Sequence, residues 1–60
     1  MTKRHQELKE FVDNLEEDFV KFYENGVKAA GTRVRKGMQE LKRKAQDIRV
    51  EVQDIKKNEL

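Results

Sequence analysis

Sixty residues, 43% of them charged, with no Cys and no Pro, permit at most one small domain over residues 1–60. Its core is thin enough that self-association commonly completes it. The missing Cys excludes a disulfide framework and a thiolate metal centre, no run of about 18 apolar residues is present to span a membrane, and the opening MTKRHQELKE has no apolar stretch of the signal-peptide kind.

The net charge of +2 hides a polarity along the chain. Residues 1–24 carry four Lys or Arg against seven Asp or Glu, a net of −3. Residues 25–60 carry ten against five, a net of +5, and the window 28–44 alone reaches +6. Such a chain is suited to pair with itself, to bind an anion through its basic part, or to do both.

The first apolar series is Leu8, Val12, Leu15, Phe19 and Phe22, widened by Phe11 and Tyr23. Its alternating steps of four and three predict a helix over about 3–24 that packs on another helix. Thr2 is its expected N-cap. Glu10, Glu17 and Glu24 share one outward line, with Asp13, Glu16 and Asp18 nearby. His5 is the single His and cannot assemble a metal site alone, so no metal or other cofactor is expected. The acids have no accompanying nucleophile, and a solvated face explains them; the chain does not read as an enzyme.

Continued past Phe22, this series calls for apolar residues at 26 and 29, yet the second series starts at Val27. A slip of two residues is not one that a continuous coiled coil absorbs. Asn25-Gly26 supplies the break, since Gly readily takes left-handed backbone angles.

The second series is Val27, Gly31, Val34, Met38, Leu41, Ala45, Ile48, Val52 and Ile55. It predicts a helix over about 27–57, with a later start after Gly31-Thr32, capped by Thr32, as the alternative. The two helices are about 33 and 46 Å long, so a hairpin leaves Ile48, Val52 and Ile55 uncovered. The expected architecture is all-α: a helical hairpin assembling as a coiled-coil or four-helix-bundle homodimer. Ala30 and Gly31 are expected opposite the bulky Phe19, Phe22 and Tyr23. Gly37 falls off the apolar series and is assigned no role beyond, at most, letting a phosphate backbone approach.

Beside that series run Lys28, Arg35, Lys42, Arg49 and Lys56, one per heptad, with Lys36, Arg43 and Lys57 on the neighbouring line. These cations either pair with the acids of the first helix, as in many helical bundles, or stand free. The acidic outward line of the first helix points away, and the density of Arg33, Arg35, Lys36, Lys42, Arg43 and Lys44 exceeds what Glu40 balances. Neither zinc-finger spacing, a helix-turn-helix signature nor interleaved aromatics are present, and KAAGT lacks the Walker spacing. What fits is non-specific, salt-sensitive contact with duplex DNA phosphates. Lys28, Arg33, Arg35, Lys36, Lys42 and Arg43 are the expected clamps. A structural or adaptor coiled coil without a nucleic-acid partner is the competing class. A membrane-surface helix fits less well, because the apolar face is narrow and has no Trp. KNEL resembles a luminal retrieval signal, but coincidence explains it better.

The stretch NGVKAAGTRVRKGMQELKRKAQDIRVEVQDIKK resembles the bacterial linker-histone-like family, the chlamydial histone-like proteins and their shorter relatives. Gly26, Lys28, Ala29, Ala30, Arg33 and Arg35, followed by an amphipathic helix, carry the likeness. It covers about residues 19–57. The resemblance implies a nucleoid-associated, cytoplasmic protein that binds DNA with little sequence preference and dimerises through its helices. Longer members carry a Lys/Ala/Pro-rich tail that dominates compaction. This sequence ends in KKNEL, which implies organising or bridging DNA rather than strong condensation.

Overall fold

The computed structural model describes residues 3–58, and every element among them is helical. They are α1 (Lys3–Asp13), α2 (Glu16–Asn25) and α3 (Lys28–Lys57). The first expected helix is therefore bent rather than continuous. At the bend, the Leu15 N–H donates to the Val12 carbonyl at 3.0 Å, a three-residue spacing, whereas the Asn14 N–H still reaches Glu10 at 3.0 Å. The tightened turn ends one helix, and the Phe19 N–H bonding to the Leu15 carbonyl at 3.0 Å starts the next. Asn14 favours such a break because its side chain competes for backbone groups. Glu16, Glu17 and Asp18 then occupy the first turn of α2, where the helix dipole favours acids.

The break at Asn25-Gly26 lies where the phase slip requires it. Gly26 is left-handed, at φ 65° and ψ 26°, a conformation that a Cβ would strain. Its N–H donates to the Phe22 carbonyl, and the Val27 N–H to that of Lys21, both at 3.1 Å. Val27 is extended and the helix resumes at Lys28, so the later start after Thr32 does not occur. The expected Thr2 cap lies outside the described residues.

The two arms form an antiparallel hairpin measuring 52 × 18 × 11 Å, with α2 making the closer contact on α3. The buried line of α3 is Ala30, Val34 and Gly37, continued by half-buried Leu41, Lys44, Ile48 and Glu51. It shares Val34, Leu41 and Ile48 with the apolar series read from the sequence. It uses Gly37, Lys44 and Glu51 in place of Met38, Ala45 and Val52, and adds Ala30 beside half-buried Gly31, so α3 is rolled by half a step. Gly37 is consequently not idle. A Cβ placed there would lie 2.7 Å from Leu15 Cδ2 and 3.0 Å from Cδ1. A Cβ on Gly31 would lie 2.6 Å from two atoms of the Phe22 ring, in keeping with the expected small-against-large packing there. Ile48 is half-covered because α1 reaches Glu51, while Val52 and Ile55 stay exposed.

Gly→Ala inside a helix ordinarily stabilises by about 1 kcal/mol. Here the added methyl collides with packed side chains, and overpacking costs about 1–3 kcal/mol. Gly31→Ala is expected to lower the melting temperature measured by circular dichroism, by about 4–8 °C for each net kcal/mol lost, and Gly37→Ala by less, because only the terminal methyls of Leu15 must move. A rise would mean that the helices are not seated this closely.

Candidate nucleic-acid interface

Positions seven apart stay nearly in line on a helix, drifting about 20° per heptad, so α3 divides into rows. The Ala30/Gly37/Lys44/Glu51 and Val34/Leu41/Ile48 rows face α1 and α2. Beyond the first lies Arg33/Glu40/Asp47/Asp54, and beyond the second lies Gly31/Met38/Ala45/Val52. The side turned away from the hairpin carries the remaining rows: Lys28/Arg35/Lys42/Arg49/Lys56, Thr32/Gln39/Gln46/Gln53, and Ala29/Lys36/Arg43/Val50/Lys57. All of these residues are exposed.

One edge of the hairpin is closed by charge. Arg4 donates from Nε to the Glu51 carboxylate at 3.0 Å, Lys44 Nζ stands 5.1 Å from the centre of the Phe11 ring, and Arg33 Nε donates to Asp18 at 2.9 Å. Arg4, Phe11 and Asp18 are themselves seven apart, and their partners descend α3 in the opposite direction. Lys44, placed by the sequence pattern in the basic cluster, is thus turned inward. The hydrogen bond from Arg4, aided by its positive charge, holds the Glu51 carboxyl below its ordinary value against the opposing effect of burial. The same bond raises the Arg4 guanidinium.

The other edge is open and apolar. Tyr23 is 72% exposed, stacked on Phe19 at 5.9 Å and edge-on to Phe22 at 5.2 Å. Phe22 and Tyr23 border a shallow depression with Lys28, Gly31, Thr32, Val34 and Arg35. Farther along α3, exposed Met38 and Val52 continue the edge, with Val12 on the facing row of α1.

The structure brings Lys42 and Arg43 together with Gln39, Gln46 and Arg49 around one depression on α3. Arg35 and Lys36 flank another with Thr32 and Gln39, and Lys28 joins Arg35 near the aromatic tip. Among the described residues no carboxylate lies within ion-pair distance of Lys28, Arg35, Lys36, Lys42 or Arg43, whereas Arg33 is held by Asp18. Arg49 and Lys56 stand on the same row as Lys28, Arg35 and Lys42 and belong with them. Their seven-residue spacing from Lys42 is the sequence signal that places them there. Lys36 and Arg43 sit next to the acidic row of Glu40 and Asp47, so the Lys28-to-Lys56 row has the cleaner positive field.

A family model described as Histone H1-like protein Hc1 matches residues 2–58 of the chain. No curated protein and no solved structure matches it.

The Arg4–Glu51 contact has a definite pH signature. A depressed carboxyl contributes stability above its ordinary pKa and loses it as pH falls through the lower folded value. A carboxyl carbon NMR titration of Glu51 is expected to show a midpoint below the ordinary glutamate value and to move upward in Arg4→Gln. An unmoved midpoint would show that α1 is not held there.

Proposed function

The chain belongs to the histone H1-like protein Hc1 family, and from that premise we propose that it binds duplex DNA by gripping phosphates along α3, with little regard for sequence. The family relationship points to a nucleoid DNA-binding protein and is not one of enzymes. The observation that carries the finer reading is the outward side of α3. It presents Lys28, Arg35, Lys42, Arg49 and Lys56 in one exposed row, about 10.5 Å apart along the axis, away from the hairpin's own carboxylates. Flexible cationic side chains at that spacing reach phosphates of a strand that carries one every ~3.4 Å. Lys36 and Arg43 add contacts on the neighbouring row. Arg33 is already engaged by Asp18 through Nε and stands on the row beyond Lys36 and Arg43, so it is the weakest of the six expected clamps. Nucleoid and cytoplasm are the location that such a partner implies. Among the described residues no helix is long and apolar enough to cross a membrane.

The same reading includes a homodimer. Among the described residues of one chain, only Ala30 and Val34 form a buried apolar core, little for an independently stable domain. The open edge, from Tyr23 and Phe22 through Met38 to Val52, is the surface whose burial against a second copy would complete it. This edge adjoins the Lys28-to-Lys56 row, so a twofold pairing sets two cationic rows on one broad face. The opposite edge, closed by the Arg4, Lys44 and Arg33 contacts, has no comparable apolar surface to offer. A coiled-coil adaptor would account for the open apolar edge but leaves the family relationship and the clean cationic side without a role.

With four to six phosphates neutralised per dimer, the logarithm of the binding constant should fall against that of salt with a slope of roughly −4 to −5. Arg35→Gln combined with Lys42→Gln should weaken binding and flatten the slope by about two or more, at unchanged helicity. A slope insensitive to those changes would remove α3 from the interface. Sedimentation equilibrium should give a dimer mass at micromolar concentration and a folded monomer for Met38→Asp combined with Val52→Asp. A wild-type monomer would refute the pairing.

A further inference from the structure

The outward side of α3 is not uniformly cationic. Between its two basic rows runs an uncharged one, Thr32, Gln39, Gln46 and Gln53. On one side of it stand Lys28, Arg35, Lys42, Arg49 and Lys56. On the other stand Lys36, Arg43 and Lys57. The acidic row of Glu40, Asp47 and Asp54 lies farther out, past the second cationic row. Gln39 and Gln46 border the same depression as Lys42, Arg43 and Arg49. Among the described residues, Gln6 is tied to Glu10 at 3.1 Å, while Gln39, Gln46 and Gln53 make no side-chain hydrogen bond.

We propose that this amide row reads adenine edges in the major groove, with Gln39 and Gln46 as the reading residues, while the flanking rows hold the two phosphate walls. The inference rests on the DNA-binding reading and deepens it. An α-helix with side chains is about 10–12 Å across, and the major groove is about 12 Å wide. Because α1 and α2 stack on the far side of α3, its outward side is free to face the groove. The stretch from Arg35 to Arg49 is about 21 Å long, and within it the amide row is flanked by cations on both sides. A Gln amide both donates and accepts. Adenine offers N6 as donor and N7 as acceptor on its major-groove edge, the pairing that a Gln makes with two bonds. A second Lys or Arg row in this place would have selected guanine or only phosphate. The outcome is a modest base preference added to charge-driven affinity.

Fluorescence anisotropy at one fixed salt concentration tests it, with equal-length duplexes of A·T pairs, of G·C pairs, and of A·T pairs in which every adenine is 7-deazaadenine. The last removes the N7 acceptor and leaves the minor groove unchanged. The wild-type protein should bind the A·T duplex about 5–10-fold more tightly than the other two. Gln39→Ala combined with Gln46→Ala should bind all three equally, with an unchanged salt slope and helicity. Equal wild-type affinity for the A·T and 7-deaza duplexes, or a preference that survives in the double variant, overturns the inference and leaves phosphate binding standing. Failure to bind any duplex at low salt overturns both.

Discussion

Two close seatings, Leu15 on Gly37 and Phe22 on Gly31, set how α3 is rolled against the other arm. Each works because the glycine has no Cβ and the facing residue is bulky, so the helix axes approach without either side chain leaving the seam. Once that roll is set, the position of every other row on α3 follows. Lys44 and Glu51 turn inward to Phe11 and Arg4. Met38 and Val52 turn to an open edge. The row from Lys28 to Lys56 and the amide row beside it face solvent on the side farthest from the carboxylates of α1 and α2.

The two edges of the hairpin do different work. Contacts among exposed charged side chains, such as those of Arg4 with Glu51, add little net stability. Their consequence here is register, since they pair α1 and α3 at one longitudinal position and keep that edge polar. The opposite edge keeps its aromatic and aliphatic side chains at the surface, including Tyr23 braced by Phe19 and Phe22. A chain with so thin an internal core gains most from covering that surface. Segregation of acids onto the short arm and cations onto the long one then leaves a cationic face that intramolecular pairing largely spares. Arg33 is the exception among the residues read as clamps.

Much of this organisation is legible in the residues. The phase slip at Asn25-Gly26 marks the turn, and the seven-residue recurrence of Lys28, Arg35, Lys42, Arg49 and Lys56 marks the cationic row. The bend at Asn14-Leu15 is hidden because Leu15 keeps the apolar spacing straight through it; a three-residue hydrogen bond alters the backbone without altering the pattern. The roll of α3 is hidden for a different reason. Val34, Leu41 and Ile48 have a more apolar neighbour row, with Met38, Ala45 and Val52, and a less apolar one, with Gly37, Lys44 and Glu51. Apolarity favours the first. Close approach at Ala30 and Gly37, with partners for Glu51 and Lys44 supplied by Arg4 and by the Phe11 ring, favours the second, and those are contacts across the hairpin that no single-helix periodicity contains.

The central claim is that one side of α3, and not the acidic arm, meets DNA. Amide and side-chain NMR shifts of the labelled protein, followed as a short duplex is added at low salt, test it residue by residue. The account predicts changes concentrated on Lys28, Arg35, Gln39, Lys42, Gln46 and Arg49, with Glu10, Glu17 and Glu24 unmoved. Changes spread over the α1 and α2 surface, or absent from that side of α3, would contradict it.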